Sequence, residues 1–135
     1  MPEIELEELT ITEVAISTFL REQLLTVVEE EKQVIVHCKI EAIDGFNAAR
    51  IWPTTYLIDV RSNHRSTLLH VDGVTMYPVW TEIPSGKTLY FTLIFSGLPA
   101  SCLMFDFMED IPEPGGFFVS NIKRNPKDIY SIDLG

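Results

Sequence analysis

Four carboxylates fall within eight residues in the stretch "FDFMEDIPEPGGFF", Phe105 to Phe118. They are Asp106, Glu109, Asp110 and Glu113, beside Pro112, Pro114 and the pair Gly115-Gly116. Carboxylates at this density are what a divalent cation needs, provided six to eight oxygens converge on one point. The spacing does not favour convergence. Along a strand Asp106 and Met108 point away from Phe105 and Phe107, and Glu109 and Asp110 mark the strand's end. The prolines stiffen the connection, and the glycines give the backbone freedom to re-enter at Phe117. The expectation is a proline-stiffened turn between two strands, with solvated and independent carboxylates. A cation site and a partner-docking loop are the alternatives.

The other reactive side chains are dispersed. His37, His64 and His70 are separated by 27 and then 6 residues, a spacing that forces no two together. Each reads as a surface or half-buried histidine. No Gly-x-Ser-x-Gly elbow, HExxH pair or phosphate-binding loop is present. Cys38 and Cys102, the only cysteines, sit inside the apolar patterns "VIVHCKI" and "SCLMFDF". They read as buried free thiols, with no basic neighbours to activate them and no zinc-ligand spacing. These residues spell out no catalytic set, metal site or cofactor site.

Aromatics offer the best signal for recognition. Trp52 and Trp80 lie next to or two residues from prolines, Pro53 and Pro78, and Tyr56 follows closely. Trp52, Tyr56 and Trp80 could form a recognition surface, since amphipathic rings anchor partners and stack on sugars. The plainer reading is packing at the ends of a core. Two small basic turns, "RSNHR" (Arg61, His64, Arg65) and "KRNPK" (Lys123, Arg124, Lys127), read as solvated surface or as a face for acidic patches on a second copy.

Such residues need a framework, and alternation supplies one. In "QVIVHCKIEA" the residues Val34, Val36, Cys38, Ile40 and Ala42 share one face. Leu89, Phe91, Leu93 and Phe95 do so in "TLYFTLIFSG", which is apolar enough on both faces to sit centrally. Leu103, Phe105 and Phe107 follow, and then Tyr130, Ile132 and Leu134. Turn signals separate these runs, among them Asp44-Gly45, Asp72-Gly73, Pro84-Ser85-Gly86 and Asn125-Pro126. Their spacing predicts an all-β fold, a single antiparallel sandwich of seven to nine strands over residues 1–135, with 1–9 an acidic N-terminal segment. Residues 18–31 fit a helix and a strand about equally. The pair Val27-Val28 favours strand after residue 23.

The chain has 135 residues and a net charge of −10, with −7 in residues 1–50 and −3 in 51–135. That charge disfavours nucleic acid, which recruits cations, and anionic lipid. Apolar runs are too short to insert in a bilayer. An acidic opening, "MPEIELEELT", is unlike a secretory leader and leads to the expectation of a cytoplasmic protein.

Several phrases occur in a familiar order: "ITEVAIS", "RIWPTTYLIDV", "STLLHVDGV", "FTLIFSGLPASCLMFDFMED" and "GGFFVSNIKR". The chain resembles an uncharacterised bacterial family of immunoglobulin-like β-sandwich modules carrying a phrase F-x-L-x-F-x-x-L-P followed by FD-x-x-E. The resemblance spans residues 10 to 134 and implies the immunoglobulin-like form of the sandwich. It brings no activity and no functional residue. Many relatives are exported or joined to larger proteins, a pattern from which the acidic opening departs. The function expected is a non-catalytic interaction or accessory module whose partner is another protein, a second copy included. The alternatives are a small-ligand or carbohydrate-binding sandwich, or an enzyme with a site built from dispersed residues such as Trp80, His70 and Asp106.

Overall fold

The computed structural model describes residues 32–42 and 47–135. The expectations for residues 1–9 and 18–31, and the turn at Asp44-Gly45, lie outside the described residues. Within them the chain is all-β, with nine strands and no helix: β1 (Val34–Glu41), β2 (Asn47–Ala49), β3 (Thr55–Asp59), β4 (Arg65–Asp72), β5 (Thr81–Ile83), β6 (Thr88–Phe95), β7 (Met104–Glu109), β8 (Phe118–Lys123) and β9 (Ile129–Asp133). Seven strands are joined in the order β8-β7-β3-β4-β6-β1-β9, and β2 pairs with β5 in a small separate sheet.

β4 divides the large sheet into two layers. Its first half pairs with β3 (Tyr56 opposite Thr67, Ile58 opposite Arg65), and its second half pairs with β6 (Val71 opposite Leu93). The register shifts between Leu68 and His70, where a bulge lets one strand serve both layers. One layer is then β9-β1-β6 with the end of β4; the other is the start of β4 with β3-β7-β8. Val34, Val36, Cys38, Phe91, Leu93 and Phe95 from the first layer meet Leu57, Phe105 and Phe107 from the second in one buried cluster. Phe95 and Phe107 make an edge-to-face contact across it, centroids 6.1 Å apart.

Two features differ from a simple antiparallel sandwich with hairpin corners. β9 runs parallel to β1, Val36 beside Tyr130 and Cys38 beside Ile132, so the last strand closes against the first described one. β6 and β7 are both internal strands, but they are not neighbours. The corner from Gly97 to Cys102 carries the chain from one layer to the other. Gly97 and Leu98 are buried there, and Cys102 N–H donates to the Pro99 carbonyl. Among the described residues no helix is long and apolar enough to cross a membrane.

The register also defines two ends. Thr55 stands opposite Glu109 at one end, and Asp59 opposite Phe105 at the other. Thr55, Leu57 and Asp59 all face inward, so the interior strip of β3 is polar at both tips and apolar between.

Candidate functional site

The Thr55–Glu109 end carries an aromatic ledge. The segment around Ile51 is laid beside Met76: Ile51 N–H donates to the Thr75 carbonyl, and Tyr77 N–H to the Ile51 carbonyl. This brings Trp52 onto Tyr77, with ring centroids 3.8 Å apart and planes 27° from parallel. The loop that follows, with a cis Tyr77–Pro78 peptide, is tied at its base. Thr75 Oγ1 donates to the Val79 carbonyl at 2.7 Å, and Thr81 Oγ1 accepts from Thr75 N–H at 2.9 Å.

Arg50 holds the ledge from beneath. Its guanidinium carbon is 3.8 Å from the Trp80 ring centroid and 4.6 Å from that of Tyr77. One terminal nitrogen donates to the Pro78 carbonyl at 3.0 Å, and the other reaches Glu113 at 3.5 Å. Its Nε is buried without a hydrogen-bond partner. Guanidinium stacking on aromatic faces contributes on the order of 0.5–2 kcal/mol, and here it orders a loop that remains largely in solvent. Val79 and Trp80 are 58% and 54% exposed, and Tyr77 is 43% exposed.

Of the three aromatics expected at a recognition surface, Trp52 and Trp80 therefore come together through Arg50 and Tyr77. Tyr56 pairs elsewhere: the Arg65 guanidinium lies 4.9 Å from its ring. Arg50 was not singled out in the sequence. The only signal was its place two residues before Trp52 in "NAARIWP", and nothing local placed it under Trp80, thirty residues further on.

The four carboxylates are not alike, contrary to the expectation that all would be solvated and independent. Glu109 is buried. Its Oε2 accepts from Trp52 N–H at 3.0 Å and its Oε1 from Phe117 N–H at 3.3 Å. Burial pushes its carboxyl above the usual range, against the pull of those two N–H groups and of Arg50. Asp106 accepts from Asn121 N–H, while Asp110 and Glu113 are exposed and, among the described residues, their side chains make only long contacts with Arg65 and Arg50. Both oxygens of Glu109 thus face hydrogens, an arrangement for fixing backbone rather than for holding a cation. Among the described residues no group of three His, Cys, Asp or Glu side chains could hold a metal ion.

The opposite end holds a second polar system. Asp59 accepts from Arg61 N–H and from Ser62 Oγ at 2.6 Å. Burial raises its carboxyl, and these bonds together outweigh it and hold the group below its ordinary value. Arg124 was expected in a solvated basic turn. It is instead largely buried, forked onto both oxygens of Asp128 and donating to the carbonyls of Pro99 and Cys102. Tyr130 Oη donates to Asp128 at 2.9 Å. Burial works against the Asp128 carboxylate, but the bonds from Arg124 and Tyr130 outweigh it and keep it ionised below the usual range.

The histidines and thiols stay apart. His37 Nδ1 bonds Thr92 Oγ1 at 2.8 Å, His64 Nε2 lies 3.3 Å from the Gly97 carbonyl, and His70 is exposed opposite Ile94. His70 and Asp106 lie in different layers, so with Trp80 they make no common site. Cys38 and Cys102 are buried free thiols, and burial pushes Cys38 up to about 12, where it is no nucleophile. Compared with known proteins, the chain matches no protein-family model, no curated protein and no solved structure.

Proposed function

We propose that the chain is a non-catalytic interaction module of the immunoglobulin-like kind, and that its aromatic ledge binds another protein. One observation carries this reading: Val79 and Trp80 are more than half exposed on a loop that Arg50 and Thr75 hold in one shape. A fixed, solvent-facing Trp beside Arg and Tyr is the composition at which binding energy concentrates in protein interfaces. Preorganisation also lowers the entropy lost on association. Two buried free thiols suit a reducing compartment, and we place the module in the cytoplasm.

The test is quantitative capture from host extract with the native chain and with Trp80→Ser and Val79→Ser variants of unchanged circular dichroism. The expected result is at least one protein enriched by the native chain and lost with both variants. Identical captured sets would show that the ledge is not the binding surface.

A further inference from the structure

We propose that the groove at the other end of the sandwich docks an acidic, apolar peptide segment of a partner protein. The groove is lined by Lys32, Lys123, Arg124, Leu103 and Pro126, with a volume of about 490 Å³. It lies where β7 begins and β8 ends, since Met104 stands opposite Lys123. The aromatic ledge is at the far ends of the same strands, so the two surfaces are separate.

Charge complementarity selects the occupant. Among the described residues Asp128 is the only carboxylate in the lining, and it is 1% exposed and committed to Arg124 and Tyr130. Its ion pair with Lys32, at 3.5 Å, leaves that side chain about half exposed. Lys123 lines the groove, and Lys127 stands on the neighbouring turn. Both are exposed, and among the described residues no carboxylate lies within 4.0 Å of either. The floor is rigid. Arg124 fastens the β8–β9 turn to the corner carbonyls, Asn125 Oδ1 accepts from the N–H groups of Lys127 and Asp128, and Tyr130 Oη accepts from Asn125 N–H. The backbone that carries Lys123 and Lys127 is thus fixed around a concavity rather than lying on a mobile tail.

The apolar component is Leu103, 59% exposed in the same groove. A leucine there has nothing to offer a phosphate backbone. It suits a peptide that alternates carboxylates with aliphatic side chains, one for the lysines and the other for Leu103 and Pro126. A long polyanion would also meet the net charge of −10 on the whole chain, which a peptide bearing two or three charges feels far less.

The probe is a short synthetic peptide of alternating glutamate and leucine, titrated into the full chain by fluorescence anisotropy. Its glutamine counterpart and a single-stranded oligonucleotide of equal charge serve as controls. The expected result is saturable binding by the glutamate peptide alone, weakened about tenfold as salt rises from roughly 0.05 to 0.5 M, because screening shortens the reach of exposed charges. Lys123→Glu/Lys127→Glu should abolish it, and Leu103→Ser should weaken it, with unchanged thermal melting in both. Trp80→Ser should leave it intact, which separates this groove from the ledge. Equal binding of the glutamine peptide, tighter binding of the oligonucleotide, or no binding at low salt would overturn the proposal. So would zero-length cross-links from Lys123 to glutamates of residues 1–31 in the free chain, which would assign the groove to the chain itself.

Discussion

A carboxylate that faces a hydrophobic interior must find donors, and Glu109 finds two from different segments, Trp52 and Phe117. It therefore closes the ends of two connections onto β7. Gln at this position keeps the size but turns one amide nitrogen toward an N–H group, so Glu109→Gln should cost about 1–3 kcal/mol, the range for leaving a buried donor unsatisfied. Asp110→Asn with Glu113→Gln should change stability by less than about 1 kcal/mol, since both groups are exposed. Urea midpoints separate the two cases; equal shifts would mean that Glu109 does not hold its neighbours. The burial was legible in principle. Phe105, Phe107 and Glu109 have the same parity along β7, and the pattern places all three inward. Glu109 does end β7, as expected, but taking a strand-end carboxylate to be solvated overrode that signal. The role of Arg50 was not legible, because stacking beneath Trp80 depends on a chain path that no local pattern encodes.

At the scale of elements, the alternating runs translate into strands almost residue for residue. The runs at 33–42, 87–96 and 103–109 contain β1, β6 and β7, and Phe91, Leu93, Phe95, Phe105 and Phe107 are buried together. Phe95→Ala should cost about 3–5 kcal/mol, because the ring fills the space between layers against Phe107. A denaturant midpoint unchanged by it would remove β6 from the core. Pairing order was not legible: alternation fixes which face is buried, while partners are set by long-range packing, as in the parallel β1–β9 contact. The turn after β7 makes a sharper claim. Gly115 has φ +92°, and Gly116 sits so close to the β7 end that a Cβ would stand 2.5 Å from the Glu109 carbonyl oxygen. Gly115→Ala should lose stability through backbone strain alone, by on the order of 1 kcal/mol. Gly116→Ala should lose more, because backbone must move. The reverse ranking in thermal melts would show that the turn is not held against β7.

For the whole molecule, polar groups at the two ends of an apolar interior give stability a defined dependence on pH. Asp59 and Asp128 have folded values below their ordinary 3.8, so their contribution is present above that value and is lost as pH falls through the folded one. Glu109 acts in the opposite sense. Its raised carboxyl favours folding at low pH, and that share is lost as pH rises from 4.5 through the folded value. On the alkaline side the two groups agree. Burial lifts Cys38 from 9.0 and Tyr130 from 10.0, each to about 12. The unfolded chain releases these protons first, so stability should decline between pH 9 and 12. Denaturant midpoints at pH 7, 10 and 11.5 should fall in that order. Tyr130→Phe should be less stable at pH 7, having lost the bond to Asp128, but should lose less of its remaining stability on going to pH 11.5. A Phe variant with the full alkaline slope would place that slope on other groups, Cys38 among them.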